Sequence, residues 1–182
     1  MPARKIDAAS TTLVLDELDE GTSLIELEIS PPDLELEDSY FNFPGSLRAS
    51  LEVSRSINTY TVSGKISGLI QSECCRCLAE VDQVLEAPMR MLFQRRQASE
   101  EELEAVAADE DMEIYDPGTR EIDLKSQICD AVVLELPLRI FCSDTCRGLC
   151  PQCGQDLNQE ACNCKAEAED PRWAALKKVK FS

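Results

Sequence analysis

Eight of the chain's ten cysteines fall into close pairs: Cys74-x2-Cys77, Cys142-x3-Cys146, Cys150-x2-Cys153 and Cys162-x-Cys164. Two thiolates separated by two residues around a turn lie near enough to share one tetrahedral ion, and four thiolates form a common structural zinc site. In "CPQCG", Pro151 fixes the start of the turn and Gly154 lets the chain leave it with positive φ. "CNC" closes the other side with one residue between ligands. The loop between them, "GQDLNQEA", is too polar to build a core, so a metal is its natural stabiliser. Cys150, Cys153, Cys162 and Cys164 are therefore expected to hold one Zn2+.

The other two pairs are each half a site, and a lone pair of thiolates holds zinc poorly. Joining Cys74 and Cys77 to Cys142 and Cys146 gives a second expected site, which would pin the upstream segment to the approach to the hook. The alternative is that Cys74 and Cys77 are small apolar fillers near a strand turn and that Cys146 belongs to the hook. Cys75 and Cys129 are left over, and Cys129 is read as buried core. Three other uses of the thiols compete with zinc. Disulfides need an oxidising compartment, and the N-terminus shows no sustained apolar run before its acids, so no secretory signal is expected. A redox pair should open a helix after a strand in a thioredoxin-like pattern, and neither "CxxC" does. Buried thiols without metal remain the plain structural reading. The chain contains no histidine, which removes Ser-His-Asp and Cys-His catalysis and any His-ligated metal.

The chain of 182 residues carries a net charge of −17. Residues 1–46 hold 2 basic and 11 acidic groups, and residues 98–123 hold 1 and 11. Residues 47–97 are the relatively basic part, with 7 and 5. A general nucleic-acid binder needs a basic face to neutralise phosphates. The acidic blocks favour a basic protein partner or simple solubility. No apolar run reaches the length that spans a bilayer, so the cytoplasm is the expected location and no membrane partner is expected.

The elements that must position the thiols read as follows. "TTLVLD" and "SLIELEI" alternate like strands. "SPPDLELEDSYFNFPGS" reads as a loop with at most a short edge strand. Leu47, Ala49, Leu51 and Val53 point one way along "LRASLEVSRSI", Asn58 and Thr59 make a turn, and "YTVSGKISGLIQSE" alternates again, its glycines marking bulges or close packing. "LAEVDQVLEAPMRMLFQ" follows the first cysteine turn as a further strand. The fold class is α+β: an antiparallel meander, one main helix, and a C-terminal cysteine-rich zinc hook. "MEIYD" and "REIDL" are strand and helix start. Asp123 is the expected N-cap, Leu124, Ile128 and Val132 lie on one helical face, and Pro137 ends the helix near Leu134. The expected organisation is an α+β domain over 1–141, with an acidic linker near 98–111, and a hook over 142–182 ending in a short helix within "EDPRWAALKKVK".

In this order, "CCRCL", an acidic linker, "EIDL", "LELPL", "CRGLCPQCGQDLN", "CNC" and "DPRWAALKK" resemble the YceD family of large ribosomal RNA subunit accumulation proteins. The resemblance covers most of residues 47–182, and the "C-R-G-L-C-P-x-C-G-x-D-L-N" run is its most specific part. The family pattern marks Cys74, Arg76, Cys77, Cys150, Pro151, Cys153 and Gly154, while Cys75 departs from it. The resemblance implies a role in making or maintaining large-subunit rRNA. The expected activity is that of a non-enzymatic assembly factor, with one or two structural Zn2+ ions. Its partner would be large-subunit rRNA or a basic ribosomal protein, with no DNA expected. Arg90, Arg95 and Arg96 are the candidate contacts, beside Arg48, Arg55, Lys65, Arg76 and the tail lysines Lys177, Lys178 and Lys180. Scattered solvated charge is the plain reading of these residues. A thiol-redox or RNA-modifying enzyme and a zinc-ribbon transcription adaptor are the alternatives.

Overall fold

The computed structural model describes residues 5–8, 11–18, 20–36, 40–99 and 112–164. The acidic run over 100–111, the expected C-terminal helix and the tail lysines lie outside the described residues.

Alternation of apolar and polar side chains drives one face of each strand inward. The strands are β1 (Lys5–Ala8), β2 (Thr12–Val14), β3 (Gly21–Ile29), β4 (Leu47–Ser56), β5 (Thr59–Glu73), β6 (Glu80–Arg95), β7 (Met112–Tyr115) and β8 (Glu121–Asp123). Six of them form one sheet in the order β1-β3-β4-β5-β6-β7, and β2 pairs with β8 in a second, two-stranded sheet. The meander of β4, β5 and β6 is antiparallel throughout, and β3 joins it antiparallel. The two edge strands pair parallel, β1 with β3 and β7 with β6. The α+β class is thus observed.

Leu47, Ala49, Leu51 and Val53 of β4 are buried, as the alternation requires. They meet Tyr60, Val62 and Ile66 of β5 and Leu85, Ala87 and Phe93 of β6 in one core. Full burial of one such large apolar side chain stabilises by about 1.5–3 kcal/mol. Gly64 faces Leu51, and a Cβ there would lie 2.1 Å from the Ser50 carbonyl oxygen, so this glycine marks close packing. The β4–β5 turn falls at Ile57 and Asn58, with Thr59 already paired to Ser56, one residue earlier than the sequence suggests.

The helix α1 (Lys125–Glu135) buries Ile128 and Val132 against the sheet, and Leu124 beside them. Asp123 performs the capping role from just outside it: its Oδ1 accepts from the Lys125 backbone N–H at 3.0 Å and from the Thr11 hydroxyl at 2.6 Å. The chain leaves α1 before Pro137 and runs past the end of the β5–β6 hairpin, where the Cys75 N–H donates to the Ile140 carbonyl at 2.9 Å. That contact delivers Cys142 and Cys146 to the hairpin's cysteines.

Candidate metal centres

The long β5–β6 ladder runs out at Glu73 opposite Glu80, and residues 74–79 turn the chain between them. The Cys74 N–H donates to the Ala79 carbonyl at 2.8 Å, and the Leu78 N–H to the Cys74 carbonyl at 2.9 Å. Both thiols of the turn then face the same way. Cys74, Cys77, Cys142 and Cys146 come together here, with all four sulfurs within 4.8 Å of one another. Cys74, Cys77 and Cys146 are buried, and Cys142 is exposed.

Cys150, Cys153, Cys162 and Cys164 form a second set within the same limit. Its turn repeats the first: Cys150 N–H donates to the Gln155 carbonyl at 2.8 Å, and Gly154 N–H to the Cys150 carbonyl at 2.9 Å. Gly154 has φ 74°, the left-handed conformation that glycine adopts freely. All ten cysteines are free thiols.

The separations suit a shared ion. Cys74 Sγ lies 3.8 Å from Cys146 Sγ, and Cys77 Sγ 3.5 Å from Cys142 Sγ. Tetrahedral zinc with Zn–S bonds of about 2.3 Å places its sulfurs about 3.8 Å apart. A disulfide would need about 2.05 Å. Both clusters therefore have the ligand type, count and spacing of a closed structural zinc site.

The electrostatics divide each cluster. The N–H groups of Cys153 and Gln152 pull the Cys150 thiol down to about 6. Burial works to raise Cys74, but the N–H of Arg76 and further backbone bonds outweigh it and bring this thiol also to about 6. Cys142 is pushed up to about 12 by its bonds to Cys146 and Cys77, and Cys164 to about 12 by Cys153, burial and Cys150. One thiolate thus makes its neighbour harder to ionise, and a divalent cation is the group that lets all four lose their protons.

Two residues around the first cluster carry weight that cysteine spacing does not reveal. Arg76 donates from its guanidinium to the carbonyls of Cys146, at 3.0 Å, and Asp144, at 3.2 Å, and its guanidinium carbon lies 4.4 Å from the centre of the Phe141 ring. It clamps the 142–146 segment to the hairpin turn. Asn158 donates its side-chain N–H to Cys146 Sγ at 3.4 Å. The only sequence signal for either is its place in the "CCRCL" and "CPQCGQDLN" runs.

The arginines named as contacts are differently placed. Arg90 is exposed on β6, opposite Ser63. The Arg95 side chain is only 17% exposed; it lies 3.7 Å from Asp16, donates to the Thr119 carbonyl at 3.3 Å and sits over the Tyr60 ring. Arg96 is half-buried and donates to Gln94 and to the Gln97 carbonyl. Arg55 is likewise turned inward, to the carbonyls of Leu15 and Leu18. On the outer face of the sheet, charges of both signs interleave. Cross-strand register places Glu28, Arg48, Ser67 and Glu86 in one row, and Lys65 pairs with Glu86 at 3.0 Å.

Comparison with known proteins agrees with the cysteine pattern. The family model described as Large ribosomal RNA subunit accumulation protein YceD matches residues 62–180, a span that contains both clusters. An uncharacterized protein of Mycobacterium tuberculosis (strain ATCC 25618 / H37Rv) is 34% identical over 147 residues, 81% of this chain and 68% of its own length. An uncharacterized protein of Bacillus subtilis (strain 168) is 32% identical over 115 residues, 63% of this chain and 62% of its own. A protein of Arabidopsis thaliana named Large ribosomal RNA subunit accumulation protein YCED homolog 1, chloroplastic, is 36% identical over 67 residues, 37% of this chain and 21% of its own. No solved structure gives a significant match. The extent of the family match, with both cysteine clusters inside it, means that this chain belongs to the YceD family.

Proposed function

We propose that this protein is a non-enzymatic factor of large ribosomal subunit biogenesis that supports accumulation of large-subunit rRNA, with zinc as its structural metal. The family name supports the pathway. The observation that carries the non-enzymatic reading is the completeness of the two clusters, each with four thiols inside 4.8 Å. Catalytic zinc sites keep a position open for water or substrate, whereas four protein ligands close the sphere. Zinc here would fix the hairpin turn to the hook, and the cytoplasm is the compartment that suits reduced thiols. No described helix is long and apolar enough to cross a membrane.

The partner favoured is a basic ribosomal protein. A groove of about 1000 Å³ runs between the hairpin turn, residues 40–42 and the stretch after α1. Tyr40, Leu78 and Leu138 stand exposed along it, and the acids Glu73 and Glu80 outnumber Arg139 in its lining. An apolar floor with acidic neighbours complements a basic segment carrying apolar side chains. The interleaved charges of the sheet's outer face suit phosphates less well. Arg90 and Arg96 are the contacts proposed should rRNA itself be bound.

The experiment is deletion of the gene followed by complementation, with mature large-subunit rRNA as the readout and co-purified protein and RNA identified for each variant. Reduced large-subunit rRNA with an excess of free small subunits is expected. Normal rRNA after deletion overturns the reading. Loss of partner in Leu78→Asp or Leu138→Asp protein identifies the groove. Loss in Arg90→Glu protein, with a salt-dependent interaction, identifies RNA instead.

A further inference from the structure

We propose that Asn158 is a positioning residue that couples the two cysteine clusters, so that an ion in the second raises the metal affinity of the first. The inference rests on the zinc reading and extends it from two independent sites to one linked pair.

Asn158 belongs to the loop between Cys153 and Cys162, both members of the second cluster. That loop is mostly exposed, and Leu157 within it is only half-buried. Its order comes from its own polar bonds and from its ends. Asp156 Oδ1 accepts from the Asn158 backbone N–H at 2.9 Å and from its side-chain N–H at 2.8 Å. Leu157 N–H donates to the Gly148 carbonyl at 2.9 Å, and Leu149 and Asp156 form a single bridge. So little apolar contact leaves the ends dominant, and an ion held by Cys150, Cys153, Cys162 and Cys164 would fix both.

From that position Asn158 reaches out of its own cluster. Its Oδ1 accepts from the Arg147 N–H at 2.7 Å, which orients the amide, and its Nδ2 then donates to Cys146 Sγ at 3.4 Å. Cys146 is buried among the thiols of the first cluster. A donor aimed at a buried thiolate stabilises the charged form that binds metal. The second cluster is therefore the frame that holds a hydrogen-bond donor for the first. Linkage makes the effect mutual: whatever factor the second ion adds to the affinity of the first, the first adds to the second.

The test uses the full chain in four forms: wild type, Asn158→Asp, a protein with the second cluster disabled by Cys153→Ser and Cys164→Ser, and the combination. Asn158→Asp keeps the acceptor for Arg147 and deletes the donor to both Cys146 and Asp156, and Asn158→Ala checks that the added charge, which would face Asp156, is not the cause. First-cluster zinc affinity is read by competition with a chelator. Outer-sphere partners of this kind are worth about 10- to 100-fold in metal affinity. Asn158→Asp and the disabled second cluster should each lower first-cluster affinity within that range, and the combination should cost little more than either alone. Equal first-cluster affinity in all four proteins, or losses that multiply, overturns the coupling. Cadmium NMR of the wild type provides a reading that needs no variant. The first-cluster resonance should take two positions, one for each state of the second cluster, and a single unshifted position overturns the proposal. Wild-type protein that takes up neither zinc nor cadmium overturns the metal reading itself, an outcome distinct from two ions bound without coupling.

Discussion

Leu78 and Gly154 hold the same place in two copies of one turn. Each follows the second cysteine of a pair, each donates its N–H to the first cysteine's carbonyl at 2.9 Å, and each is left-handed, with φ of 60° and 74°. A side chain in this conformation costs about 1–2 kcal/mol, and glycine avoids it. Gly154→Ala should therefore weaken zinc binding at the second cluster by at least about fivefold. Chelator competition measures it, and unchanged affinity would show that the turn is not tightened on binding.

Removing ligands should separate the two centres. Cys150→Ser should lower zinc content by one ion per chain and release the hook, while the sheet, whose core lies elsewhere, stays folded. Cys74→Ser should also remove one ion, but Cys74 is fully buried at the end of the β5–β6 hairpin. Faster amide exchange is then expected in the outer half of that hairpin, near Glu73 and Glu80. Elemental analysis paired with hydrogen exchange distinguishes these outcomes, and two ions remaining in Cys74→Ser protein would remove the first site.

Acid should weaken metal uptake, and the sign follows from the thiols. Cys142 and Cys164, pushed up to about 12, carry protons at neutral pH that an incoming ion must displace. Cys74 and Cys150, held near 6, are already thiolates there and take up protons only below that value. Affinity is thus expected to fall from neutral pH downward, and more steeply below pH 6. Calorimetric titration in buffers of different ionisation heat counts the protons released. A count of zero would show that the bound ligands are not the thiolates.

Arg90→Glu and Arg95→Glu should behave differently. Arg90 is exposed, and its reversal should leave the thermal midpoint unchanged. Arg95 is mostly covered and bound to Asp16 and the Thr119 carbonyl, so a carboxylate there faces Asp16 over the Tyr60 ring. A loss of about 1–3 kcal/mol is expected, mostly from the Thr119 hydrogen bond lost at a covered position, since the half-exposed Asp16 adds little. Equal midpoints for the two variants would refute the assignment of Arg95 to the scaffold.

Asp123→Ala should cost about 1 kcal/mol, the usual worth of a capping side chain. Its carboxylate takes both the Lys125 N–H and the Thr11 hydroxyl, so the loss should appear as fraying at the start of α1 and of the β2–β8 pair. Protection factors at Leu13 and Ile128 report the two ends separately.

Sequence revealed what repeats at short range. The inward set Leu47, Ala49, Leu51 and Val53 was legible because strand side chains alternate, and the second cluster because its four ligands span only fifteen residues. The first cluster is legible only because Cys74-x2-Cys77 and Cys142-x3-Cys146 are each half a site. Parallel edge pairing of β1 and β7 was not legible, since nothing periodic marks which distant strand a short edge strand will join. The placement of the β4–β5 turn is not legible either, because Ile57 takes φ 54°, which β-branched residues rarely adopt. Arg95 read as a surface cation because charge alone does not show that Asp16 and Tyr60 lie beneath it. Asn158 reads as one polar loop residue among several, since nothing in the sequence shows that its amide meets Cys146.

The span of the first cluster has a consequence for how the chain is made. Its facing pairs, Cys77 with Cys142 and Cys74 with Cys146, are 65 and 72 residues apart. At translation rates of about 5–20 residues per second, Cys77 waits roughly 3–13 seconds for its opposite number to be synthesised. The second cluster completes within one short stretch of new chain. During that wait the nascent hairpin carries Cys74, Cys75 and Cys77 as neighbouring thiols without the two that face them in the finished fold, so stray oxidation is expected to fall on the newly made protein rather than on the finished one.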